Sequence, residues 1–88
     1  TADPRVHDDL EEFLLRVVPD GDPRYTHTSE GEDDMPAHIR SVLTGGSLTV
    51  PISNGRLALG IWQGIYLWEH RTSPHDRQVV ITICGAQG

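Results

Sequence analysis

The sequence predicts a small α+β domain in which two helices come first, four strands follow, and the helices pack on or beside one mainly antiparallel sheet. Three observations predict it. Apolar residues recur at helical spacing in two segments before position 45, and from Ser47 the period shortens to two. An Asn54-Gly55 pair then separates two alternating runs, which is the strongest short signal for a two-residue hairpin.

The first helix is expected from Pro4 to Val18. Asp3 reads as its N-cap, and Pro4 suits the first helical position, where a missing N–H leaves nothing unpaired. Val6, Leu10, Phe13, Leu14 and Val17 then form one apolar stripe. Pro19 and the run PDGDPR end the helix, because proline cannot continue the hydrogen-bond ladder. A second, shorter helix starts at Asp33 and Asp34, carries Met35, Ile39, Val42 and Leu43 on one face, and stops at Gly45-Gly46. Strands are then expected around Leu48 to Ile52, Arg56 to Leu59, Trp62 to Arg71 and Gln78 to Cys84. Pro51 lacks a donor, which assigns the first of these to a sheet edge or a bulge.

With 88 residues and 36% hydrophobic content, the chain allows one domain whose own core would be marginal, so partners are expected. It begins at Thr1 with TADP, which reads as a helix start and suggests a lost upstream segment. The net charge is −6 and all seven basic residues are arginine, with no basic stripe to neutralise phosphates, so nucleic acid is not expected as a partner. The single cysteine, Cys84, has no partner for an internal disulfide and points to a reducing compartment, the cytoplasm; inside an apolar strand it reads as an inert buried thiol. No apolar run reaches the roughly 18 residues of a membrane span, so no membrane association is expected.

The stretch HTSEGEDDMPAHI, residues 27–39, gathers two histidines and four carboxylates. Two readings stand. Asp33 and Asp34 can simply serve a helix N-terminus, whose partial positive charge favours them by about 0.3–1 kcal/mol. Alternatively His38, one turn inside the helix, and His27, on the approach to it, converge on the loop with those carboxylates, a donor set suited to zinc, manganese or iron. In WQGIYLWEHR, alternation sends Gln63 and Glu69 to the same face as Ile65 and Leu67, so both either lie at strand ends or meet partners in a pocket. Arg71 and Arg77 flank the turn TSPHD, where they are either solvated or positioned to clamp a phosphate.

Taken together, TADPRVHDDLEEFLLRVVP, the segment YTHTSEGEDDMPAHIRSVLTGGSLTVPISNGRLALGIWQGIYLWEHR and RQVVITICG resemble the YjbQ family, sometimes labelled secondary thiamine-phosphate synthases. The most specific parts are the HTSEGEDDMPAHI stretch, S-L-x-V-P-I-x-x-G-R and LG-x-WQ-x-I-x-L-x-E, in that order. The resemblance spans nearly the whole chain. It implies residues 1–88 as a single domain, truncated at its N-terminus relative to the family, with a sandwich or barrel-like sheet. It also implies a homotrimer with sites near subunit boundaries. His27, Asp33 and His38 would belong to the site, with Gln63 and Glu69 close by. Two positions depart from the family pattern: Asp34 stands where many members carry asparagine, and EHRTSPHDR replaces an acidic DGPR-like turn.

Thiamine-phosphate synthesis displaces pyrophosphate, and in a site without lysine the departing charge would need a divalent cation (zinc, magnesium or manganese) with arginine support. On that expectation His27, His38 and Asp34 hold the metal, Asp33, Gln63 and Glu69 carry the catalytic roles, and Arg71 or Arg77 contacts a phosphorylated small-molecule substrate. A metal-assisted hydrolase or lyase, or a non-catalytic trimer that binds a metal or ligand, are the competing expectations.

Overall fold

The computed structural model describes residues 1–85 as two helices followed by a short hairpin. Helix α1 spans Pro4–Val17. Asp3 adopts an extended backbone and its carboxylate accepts the Arg5 N–H at 2.9 Å, which satisfies one of the donors a helix start leaves unpaired. At the other end the Val18 N–H donates to the Leu14 carbonyl at 2.8 Å, just ahead of Pro19. Helix α2 spans Asp34–Thr44 and places Pro36 in its first turn. It ends where Gly45 adopts φ 84° while donating to the Ser41 carbonyl at 3.0 Å, a conformation that L side chains rarely adopt.

Strands β1 (Ile52–Ser53) and β2 (Arg56–Leu57) pair antiparallel, with Ile52 opposite Leu57 and Ser53 opposite Arg56. Asn54 and Gly55 take φ values of 54° and 73°, the two left-handed positions that a type I′ turn needs and that this dipeptide tolerates. Pro51 contributes through its carbonyl, which accepts the Ala58 N–H at 2.8 Å.

The core is small: Leu14, Val18 and Pro36 are buried, together with the polar side chains of Asp34 and Arg40. Arg40 joins three segments. Its Nη2 donates to the Val18 carbonyl at 2.5 Å and to Asp20 Oδ1 at 3.1 Å, and its Nη1 donates to the His70 carbonyl at 3.2 Å. These bonds tie the end of α1, the middle of α2 and the chain at residue 70 to one guanidinium. Burial, ahead of the nearby Arg40 charge, pushes the His70 imidazole below its ordinary pKa.

The sheet departs from expectation. Among the described residues only the two-residue strands of the hairpin form a ladder, while 62–71 and 78–84 join no sheet and neither helix packs extensively on one. The physical reason is that a strand, unlike a helix, satisfies its backbone only through a neighbour. Leu67 is 64% exposed and Val80 is 89% exposed, so the apolar alternation in these runs has no facing layer. Cys84, expected inside a strand, is also exposed. The molecule extends 56 × 27 × 20 Å, with a radius of gyration of 16.6 Å against about 12 Å for a compact domain of this length.

Candidate metal centre

Residues 27–34 fold as tight turns that carry His27 and Glu30 back over the start of α2. The Gly31 N–H donates to the Thr28 carbonyl at 3.3 Å, and Gly31 adopts φ 107°, where a side chain would be strained and a Cβ would sit 3.2 Å from Asp33 Oδ1. As a result His27 Nε2 lies 3.4 Å from Glu30 Oε2 and 3.4 Å from Asp34 Oδ2. The three ligand atoms of His27, Glu30 and Asp34 all fall within 4.8 Å of one another. His38, one turn along α2, faces the other oxygen of the same carboxylate, with Nε2 3.5 Å from Asp34 Oδ1.

Asp34 is the centre of the group. Its side chain is only 5% exposed, yet Oδ2 has no hydrogen-bond partner. A buried carboxylate oxygen with only the His27 imidazole nitrogen nearby, at 3.4 Å, is costly to leave so, and either a protonated imidazole there or a bound cation would satisfy it. Glu30 and His27, by contrast, are solvent-accessible, so the group opens outward on one side. A recess of about 240 Å³ adjoins it, lined in part by His27, Thr28, Gly31 and Met35.

On the inner side stands Arg71. Its Nε and Nη2 donate to Asp33 Oδ2 and Oδ1 at 3.0 and 3.2 Å, its Nη1 donates to Asp34 Oδ1 at 3.1 Å, and Nη2 also reaches the Glu30 carbonyl at 3.0 Å. Thr72 adds its N–H and hydroxyl to Asp33 Oδ2 at 2.9 and 3.1 Å. The Arg71 guanidinium, followed by the Thr72 N–H, holds the Asp33 carboxyl far below the usual carboxylate range. Asp33 occupies the N-cap position of α2, yet its side chain makes no capping bond, because both oxygens are taken by Arg71 and Thr72.

The chain matches the model of the family described as UPF0047 protein YjbQ-like over residues 1–86. It belongs to this family. Among YjbQ-like relatives it is 56% identical over 84 residues to the UPF0047 protein sll1880 of Synechocystis, an alignment covering 96% of this chain and 57% of that protein. It is 48% identical over 84 residues to the UPF0047 protein YjbQ of Escherichia coli O157:H7, covering 96% of this chain and 60% of that one. The Bacillus subtilis UPF0047 protein YugU is 37% identical over 84 residues, with 96% and 61% covered. The chain therefore spans about three fifths of the length of the curated YjbQ-like relatives it matches. No solved structure matches it.

The remaining residues singled out in this YjbQ-like sequence stand apart from the Asp34 group. Gln63 Oε1 accepts the Gly60 N–H at 2.6 Å and closes the turn 60–63. Glu69 takes both Arg77 donors, Nε and Nη2, at 2.6 Å each, and accepts the Arg71 N–H at 2.9 Å. Arg77, and then that backbone bond, lowers the Glu69 carboxyl from 4.5 to about 2. Arg71 and Arg77, considered from sequence as phosphate contacts, are thus both paired with carboxylates, and Arg71 braces the site from behind. Glu30 is the residue that sequence reasoning passed over. The signal was present in its position three residues after His27, in a segment whose Thr28, Ser29 and Gly31 favour a turn. No helix among the described residues is long and apolar enough to cross a membrane.

Proposed function

We propose that this chain contributes a divalent-cation site, formed by His27, Glu30 and Asp34, to a YjbQ-like protein that acts on a phosphorylated small molecule. The observation that carries the proposal is the buried Asp34 Oδ2, without a hydrogen-bond partner and 3.4 Å from an accessible imidazole nitrogen. Formal charge supports it as well: the carboxylates of Glu30, Asp33 and Asp34 against the one guanidinium of Arg71 leave two negative charges, which a divalent ion neutralises. One imidazole with two carboxylates suits zinc, manganese or magnesium and leaves positions open for substrate oxygen.

A cation held there would stabilise negative charge on a departing phosphate or pyrophosphate. The reaction class we assign is the one implied by the family resemblance, displacement of pyrophosphate as in thiamine-phosphate synthesis, in a cytoplasmic homotrimer with single-domain subunits and a sandwich or barrel-like sheet. In that assembly Asp33 and Arg71 keep the start of α2 rigid, and His38 lies one turn away as a further donor. Gln63 and Glu69 belong to the segments that such a sheet would order.

The pairing of both Arg71 and Arg77 with carboxylates favours a second reading, in which the cation is structural and no phosphate is bound. Calorimetry separates the two. The first reading expects manganese to bind and pyrophosphate to bind only after manganese; manganese binding with no pyrophosphate uptake would favour the structural cation, and binding of neither would remove both.

A further inference from the structure

Beside the cation group, the molecule offers one arrangement whose purpose is not explained by the fold alone: the way Arg71 grips the two aspartates at the start of α2. We infer that Arg71 is a positioning residue that fixes Asp34 as a one-oxygen ligand, occupying Oδ1 so that only Oδ2 is presented to a cation. The inference rests on the metal reading above and adds to it the denticity of the carboxylate and the residue that sets it.

Arg71 Nη1 donates to Asp34 Oδ1 at 3.1 Å, so that oxygen already has a charged partner while Oδ2 has none. The guanidinium is itself fixed by two parallel bonds to Asp33, at 3.0 and 3.2 Å, and by the Glu30 carbonyl at 3.0 Å. Such a planar fork has little rotational freedom, and a carboxylate held by it keeps one orientation. The bond to the Glu30 carbonyl matters separately, because it ties the backbone of a second candidate ligand to the same guanidinium. Arg71 therefore sets the relation between two of the three ligands although it touches the cation at neither. Partners that orient metal ligands in this way commonly change metal affinity about 10–100-fold when removed.

The test is a titration of the purified full chain with cobalt(II), whose visible spectrum reports coordination geometry, in wild type, Arg71→Gln and Arg71→Lys. Arg71→Gln is expected to weaken cobalt binding about 10–100-fold and to alter the spectrum while the helical circular dichroism persists. Arg71→Lys retains the charge but not the fork, so it is expected to keep the helices, recover part of the affinity and still show an altered spectrum. It also stands in if Arg71→Gln loses its helices. Folded Arg71→Lys with wild-type affinity and spectrum would overturn the positioning role and leave the cation site intact. Wild type that binds no cobalt would overturn the cation site itself.

Discussion

In the helical half of the molecule, Asp3 caps α1, Arg40 joins α1 to α2, and Leu14, Val18 and Pro36 are buried, while Phe13, Val17, Val42 and Leu43 stay exposed. In the half that follows residue 47, the six-residue hairpin Ile52–Leu57 is the one ladder among the described residues, and Ile61, Trp62, Leu67, Val80 and Ile83 lie exposed. The difference reflects where each element obtains its hydrogen bonds. A helix completes its own backbone pairing, so a cap and an apolar stripe suffice to specify it. A strand borrows half of its pairing from another strand, and the alternation in 62–71 and 78–84 therefore describes a burial that these residues cannot supply to each other as they stand.

The largest effect expected from this contrast is at Arg40. Replacing it with alanine removes the bonds to Val18, Asp20 and His70 and should cost about 3 kcal/mol in urea unfolding followed by helical circular dichroism. A loss below about 1 kcal/mol would mean that the helical half does not depend on this guanidinium. At Gly55, substitution by valine forces a β-branched residue to φ 73° and should destabilise the hairpin by about 1–2 kcal/mol. Cross-strand contacts between Ile52 and Leu57 should vanish from nuclear magnetic resonance spectra while the helical signal stays unchanged. A parallel loss of helix would contradict the separateness of the hairpin from the helices.

The smallest effect concerns acid. The Glu69 carboxyl is lowered from 4.5 to about 2 by Arg77, so the pair's contribution is fully present above about pH 4.5 and is lost as pH falls through about 2. Arg77→Ala should move the carboxyl titration of Glu69, followed by its carbon chemical shift, back up toward 4.5. An unmoved midpoint would show that Arg77 does not pair with Glu69 in solution.

Much of the helical half was legible in the sequence. A helix expected from Pro4 to Val18 is observed as Pro4–Val17, and the one expected from Asp33-Asp34 to Gly45 as Asp34–Thr44, because caps, prolines and glycines act locally. Asn54-Gly55 marked the hairpin turn for the same reason. The expected long strands were not formed, since their pattern depends on neighbours that a local reading cannot supply. At the site, HTSEGEDDMPAHI directed attention to His27, Asp34 and His38, which do meet around one carboxylate. Glu30 was overlooked within that stretch, and the inward role of Arg71 was hidden. Both follow from tertiary geometry, the fold of the turn over α2 and a contact across 38 residues of sequence between Arg71 and Asp33.

A zinc titration of wild type and Asp34→Asn measures the cation site at Asp34 directly. One zinc per wild-type chain is expected, with a loss of at least about 10-fold in affinity when the Asp34 carboxylate becomes an amide and helical content retained. Equal affinity in the two proteins, or no zinc bound by wild type, would contradict it.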